Sequence, residues 1–81
     1  MDTYSIVKQM LKDSGKMMSE LVKGMGVTLQ SLNRSLHGNI TLERFKRIVE
    51  LTGGELYVGR RGEDGKMHIK TLDKLKEEWE K

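Results

Sequence analysis

The stretch GKMMSELVKGMGVTLQSLNRSLHG, residues 15 to 38, decides how this chain folds. Met18, Leu21, Val22 and Met25 fall at i, i+3, i+4 and i+7, one face of a helix over about 17 to 25. Gly24 inside it costs about 1 kcal/mol relative to Ala. Gly26 supplies the stop. Thr28 is then placed to cap a third helix over 29 to 37, which Gly38 closes. Val27 and Leu32 flank that cap at staple positions, fixing the angle at which the chain enters the helix. Two short helices joined by so tight a Gly-containing turn form a helix-turn-helix unit.

Upstream, Asp2 or Thr3 can cap a helix from about Thr3 to Ser14, with Ile6, Val7, Met10 and Leu11 as its apolar stripe and Gly15 as its exit. Downstream, Thr41 caps a fourth helix, about 42 to 52, with Leu42, Phe45, Ile48 and Val49 inward and Gly53-Gly54 at its end. The period then changes. Leu56 and Val58 flank Tyr57, and Met67 and Ile69 alternate with Lys66, His68 and Lys70, with the turn-rich RGEDG between them. This predicts a β-hairpin over 55 to 71. A loop at 62 to 65 would pair Val58 with Ile69. It would set Leu56, Val58, Met67 and Ile69 on one face, and Tyr57, Arg61, Lys66, His68 and Lys70 on the other. A last helix, 72 to 81, is capped near Thr71 and carries Leu72, Leu75 and Trp79 at i, i+3 and i+7. The expected fold is α+β and mainly helical. A four-helix bundle over 1 to 54, with the helix-turn-helix at 17 to 37, precedes the hairpin and a short C-terminal helix.

With 81 residues the chain is expected to form a single domain, residues 1 to 81. A core of this size supplies only about 3–5 kcal/mol, so a partner subunit is a natural support. There is no Cys, which removes disulfides and thiolate metal sites. The two His residues have no paired carboxylates at ligand spacing, so no metal or cofactor is expected. The six Met residues are expected to fill an irregular core. No Ser has a base at motif spacing, and GRRGEDGK lacks the spacing and context of a phosphate-binding loop, so no enzyme is expected. No apolar run approaches the roughly 18 residues of a membrane span, and the start MDTYSIVKQM lacks the apolar core of a signal peptide. The expected location is the cytoplasm. The net charge is +3, and residues 1 to 40 hold five Lys or Arg against three acids. That balance is compatible with a nucleic-acid partner and on its own says little more.

The second helix of the unit narrows this. Gln30, Asn33, Arg34 and His37 lie at i, i+3, i+4 and i+7, while Leu32 and Leu36 face the other way. A polar stripe on a lone helix is usually its solvated face. Here it has the chemistry of base reading: Gln and Asn can bond adenine at two points, and Arg can bond guanine at two points. Arg44, Lys46 and Arg47 follow closely and suit either phosphates or ordinary surface. His37 also sits where it can meet the last carbonyls of its helix.

ELVKGMGVTLQSLNRSLHG resembles the motif of the phage-repressor or XRE-type helix-turn-helix family. Leu21, Gly26, Val27, Leu32 and Gly38 fall where that family's pattern expects them, with no gap. ITLERFKRIVELTGG is similar to that family's next helix. The resemblance spans roughly residues 3 to 54. It implies a lambda-repressor-like bundle and a sequence-specific transcriptional regulator. Such a protein would be a repressor, binding double-stranded DNA as a homodimer with helix 29–37 in the major groove. It implies too that Thr28, Leu29, Gln30, Ser31, Asn33 and Arg34 sit where that family contacts bases and phosphates. The chain departs from the pattern at Met17 and Met18, which replace a usually polar pair, and at Leu29, which replaces a usually polar residue. The hairpin and last helix lie outside the resemblance. They are expected to supply a dimer surface through Leu56, Val58, Met67, Ile69, Leu75 and Trp79. The competing arrangement packs that face on the bundle and leaves Arg61, Lys66 and Lys70 as a wing along phosphates. A different class of function also fits: an antitoxin-like or adaptor protein whose hairpin and last helix bind a partner protein.

Overall fold

A computed structural model describes residues 2 to 80. Among them run α1 (Thr3–Ser14), α2 (Met18–Met25), α3 (Leu29–His37), α4 (Leu42–Leu51), β1 (Tyr57–Arg61), β2 (Met67–Thr71) and α5 (Leu72–Glu80). The fold is α+β and mainly helical, with four N-terminal helices, an antiparallel hairpin and a C-terminal helix. The second helix begins at Met18, because Met17 is extended at its N-cap. The last ends at Glu80, and Lys81 lies outside the described residues.

Side-chain oxygens start most of these helices. Asp2 Oδ1 accepts the Ser5 N–H at 2.8 Å. Thr28, Thr41 and Thr71 each accept one at 3.1 Å, from Ser31, Arg44 and Lys74. Each bond satisfies an otherwise free amide and contributes about 1 kcal/mol. Met17 has no such oxygen and leaves α2 without a side-chain cap. Gly26, at φ 68°, ends α2 in the left-handed region and turns the chain towards α3.

Val7, Leu11, Leu21, Leu32, Leu36 and Ile48 form one buried cluster, extended by half-buried neighbours including Met10, Met18 and Phe45. Gly24 has a packing role. A Cβ there would stand 3.0 Å from Leu51 Cδ2, so its absence lets α4 close on α2. Three expected core positions of the bundle lie outside the core. Ile6 is exposed, Leu42 is 54% exposed, and Met17, extended ahead of α2, is 67% exposed. The α4 residues in and against the cluster are Phe45, Ile48 and Leu51, so the packed stripe begins one turn after Leu42.

The hairpin corrects the expected register. Val58 pairs with Lys70, not Ile69, and Gly59 pairs with Ile69. The turn accounts for the slip. Gly65 N–H donates to Gly62 O at 3.0 Å, Gly65 takes φ 79°, and Gly62 N–H donates to Lys66 O at 2.9 Å. The loop is thus Glu63 to Gly65, a turn followed by a left-handed Gly. Asp64 Oδ1 braces it by accepting the Lys66 N–H at 3.0 Å. Moving the pairing by one residue exchanges the faces, because side chains alternate with a period of two. Val58, Arg60, His68 and Lys70 share one face, and Tyr57, Arg61, Met67 and Ile69 share the other. The single apolar face of Leu56, Val58, Met67 and Ile69 does not form, nor does its polar counterpart.

Beside the first of these faces, Val58, His68 and Lys70 border a groove with Leu75 and Glu78 of α5. Lys70 Nζ meets the Glu78 carboxylate at 2.7 Å. Leu72 is buried, and its N–H donates to Leu56 O at 2.9 Å. Trp79 does not continue that packed stripe. It is 90% exposed, near the end of α5. Two ion pairs tie α5 to α4, Lys46–Asp73 at 2.6 Å and Lys76–Glu43 at 3.1 Å. The radius of gyration is 14.6 Å. A compact chain of this length would give about 12 Å, so the hairpin and α5 extend the bundle rather than wrap it. Among the described residues no helix is long and apolar enough to cross a membrane.

Candidate nucleic-acid interface

Leu32 and Leu36 anchor α3 in the core. Helical geometry then turns Gln30, Arg34 and His37 outward, all exposed, with Asn33 half-buried beside them. No acidic residue interrupts α3. Arg34 and His37 occupy its last turn, where positive charge meets the negative end of the helix. At the other end, the Thr28 hydroxyl is engaged as the cap, Ser31 is half-buried, and Leu29 is exposed. The stripe expected from spacing is therefore present as a surface held rigidly from behind.

The three basic residues of α4 do not act alike. Arg44 Nη1 donates to Ser35 Oγ at 2.7 Å in a part-buried bond, which ties α4 to the back of α3. Lys46 is held by Asp73, whose carboxylate keeps the ammonium above the usual lysine range. Arg47 is exposed. Of the expected phosphate ligands, Arg47 stands open, Arg44 braces α3 and Lys46 braces α5.

Two features of this surface were not anticipated. The first is a stack. The Tyr4 and His37 rings lie 4.3 Å apart at 25°, joining the start of α1 to the end of α3, and Lys8 Nζ sits 5.5 Å from the Tyr4 ring centre. Nothing in a local pattern links residues so far apart. The second is a groove of about 450 Å³ between the α1–α2 corner and the start of α3, lined by Lys8, Lys12, Lys16, Met17, Leu29 and Asn33 among others. Its signal was legible: a Lys at every fourth position, 8, 12 and 16.

The expected dimer residues divide between surfaces. Met67 and Ile69 are exposed on one hairpin face with Tyr57, and Ile69 is 63% exposed. Val58 and Leu75 are half-buried by the other face, Leu56 is half-buried at the hairpin base, and Trp79 projects from α5. The Tyr57 hydroxyl donates to Glu55, which holds the phenol above its usual range. Comparison with known proteins finds no family model, no curated protein and no solved structure that matches this chain.

Proposed function

We propose that this chain is a sequence-specific regulator of transcription that binds double-stranded DNA, acting as a repressor and as a homodimer with α3 in the major groove. The supporting observation is the division of α3: Leu32 and Leu36 are buried, while Gln30, Arg34 and His37 are exposed on a helix without acids. Side chains that can bond adenine and guanine at two points thus stand on one rigid, unobstructed face. The resemblance of residues 3 to 54 to the phage-repressor family supports the same assignment. Gln30, Asn33 and Arg34 read bases. Thr28, Leu29, Ser31 and His37 border the contact, and Arg47 meets phosphate. Arg44 and Lys46 act indirectly, through Ser35 and Asp73. No catalytic residue is assigned, and the cytoplasm is the location this function calls for.

Dimerisation uses the outward hairpin face, Tyr57, Met67 and Ile69, rather than the six residues expected from the pattern. A two-stranded sheet offers two unpaired edges, so its twin could add strands to it. The same exposed face favours a second reading, an adaptor or antitoxin-like protein that docks a different protein there. Selection of duplexes from a random pool with the purified chain separates the two. Enrichment of a pseudo-palindrome with half-sites about 34–36 Å apart is expected of a dimeric regulator. A pool that stays unenriched at low salt refutes the DNA assignment.

A further inference from the structure

We propose that Lys8, Lys12 and Lys16 form a phosphate-binding rail along α1, which seats the DNA backbone in the groove beside α3. This deepens the double-stranded DNA assignment and rests on it. Lys8 and Lys12 stand one turn apart on α1, and Lys16 follows just after Gly15. All three are exposed, and all three line the groove whose opposite wall includes Leu29 and Asn33 of α3. A strand held there would run alongside the helix that reads bases.

Charge distinguishes this groove from three others on the molecule. Among the described residues no carboxylate lines it. The groove between hairpin and α5 includes Glu63 and Glu78, that between α4 and α5 includes Glu50, Glu55 and Asp73, and that between α1 and the hairpin base includes Asp13 and Glu55. Several lysines elsewhere are drawn into ion pairs, as Lys46 is by Asp73 and Lys70 by Glu78. Within the rail, Lys16 alone among the described residues is in an ion pair, with Glu20 at 3.8 Å, an exposed pair that a phosphate can displace. The start of α2 at Met17 and Met18, which has no side-chain cap, borders the same groove and adds positive helix-end potential, shared with Glu20 in its first turn. Phosphate contacts of this kind set register and orientation and carry no sequence information. The rail therefore supplies affinity, while Gln30 and Arg34 supply preference.

The test measures the salt dependence of binding to a selected duplex and to its single-base variants. Three chains are compared with the wild type: Lys8→Gln/Lys12→Gln/Lys16→Gln, the same positions changed to Arg, and Arg60→Gln/Lys66→Gln/Lys74→Gln, which removes equal charge elsewhere. Each phosphate contact contributes about 0.9 to the log–log salt slope, so loss of the rail lowers the slope by about 3 per bound protomer. Between about 50 and 200 mM salt the wild type should then lose about 40-fold more affinity per protomer than the rail variant. The base preference of the rail variant should be unchanged, and the Arg version should keep the wild-type slope. Thermal unfolding of each variant verifies that it is folded. A rail variant with the wild-type slope, or a charge-matched control that loses as much, overturns the rail and leaves the DNA assignment standing. A wild type that binds no duplex overturns both.

Discussion

Replacing Arg34 with Ala should separate reading from folding. Arg34 is exposed on α3, and no ion pair or side-chain hydrogen bond among the described residues uses it. A surface change of this kind moves stability by no more than about 0.5 kcal/mol. A two-point Arg–guanine contact carries about 1–3 kcal/mol of discrimination. At 1.4 kcal/mol per decade that is about 5- to 150-fold per half-site, and about 2–6 kcal/mol over a symmetric site. The assay titrates labelled duplexes, the selected site and each single-base variant, with unfolding measured in parallel. The expected outcome is an unfolding temperature within a few degrees of wild type and lost preference at one base pair per half-site. Arg44→Ala should behave in the opposite way. Its guanidinium is bonded to Ser35 Oγ at 2.7 Å, so its removal should cost about 1.5 kcal/mol of stability and weaken binding to all sequences alike. An Arg34 variant that keeps the full preference profile, or loses affinity equally on every sequence, refutes the assignment of Arg34 as a base reader.

Leu32→Ala removes a wholly buried side chain behind α3 and should cost about 2–5 kcal/mol, enough to unfold much of so small a domain at 37 °C; circular dichroism melts check it, and an unchanged midpoint would contradict the core described. Ile69→Lys should abolish self-association in sedimentation at high concentration while leaving the melting curve of the bundle in place; a variant that still dimerises would clear the hairpin face of that role. Acid should weaken the fold in a defined window. The Ser5 and Lys66 backbone N–H groups hold the Asp2 and Asp64 carboxyls below their usual range, and the Lys70 ammonium does the same for Glu78. Lowered folded values mean that the stabilisation is complete above the unfolded values, about 3.9 for Asp and 4.3 for Glu, and is lost as pH falls through the folded ones. The unfolding temperature should therefore drop below about pH 4, by less in Asp64→Ala, and a flat profile down to pH 2 would count against these three bonds.

The sequence alone makes legible whatever a few neighbouring residues decide. Thr28, Thr41 and Thr71 cap as expected because a cap needs only the residue and the amide three positions on. Gly15 and Gly26 end helices because only their own φ is at stake. Periodicity likewise put Leu32 and Leu36 inside and Gln30 and Arg34 outside, since one helix supplies both faces. It failed where the answer lay in the neighbour. Leu42 and Trp79 obey the helical period and are exposed all the same, because a stripe is buried only along the length that another element covers. Lys46 reads as a free cation until α5 brings Asp73 to it, from 27 positions further along the chain.

The hairpin shows how much can hang on one residue. A loop closed at Gly62 and Lys66, one residue shorter than the expected 62 to 65, moves Lys70 opposite Val58. Every pair then shifts, and two apolar residues of the expected interface pass to the opposite face from Val58. The consequence reaches function. With Val58 drawn towards α5, the surface left for a second copy or another protein is narrower than the pattern implied. It comprises Tyr57, Met67 and Ile69, with Gly59 between them. A Cβ at Gly59 would stand 3.1 Å from Met67 Sδ, so the Met67 side chain lies across the Gly59 backbone. Gly59→Val would press on Met67 and change that face without adding charge or touching α3. If the hairpin is the dimer surface, this change should lower self-association and, through the lost second half-site, weaken binding to a palindrome while binding to a single half-site stays as it was. Equal loss on both duplexes would mean that the hairpin contributes to DNA contact within one protomer, and the dimer assignment would fall.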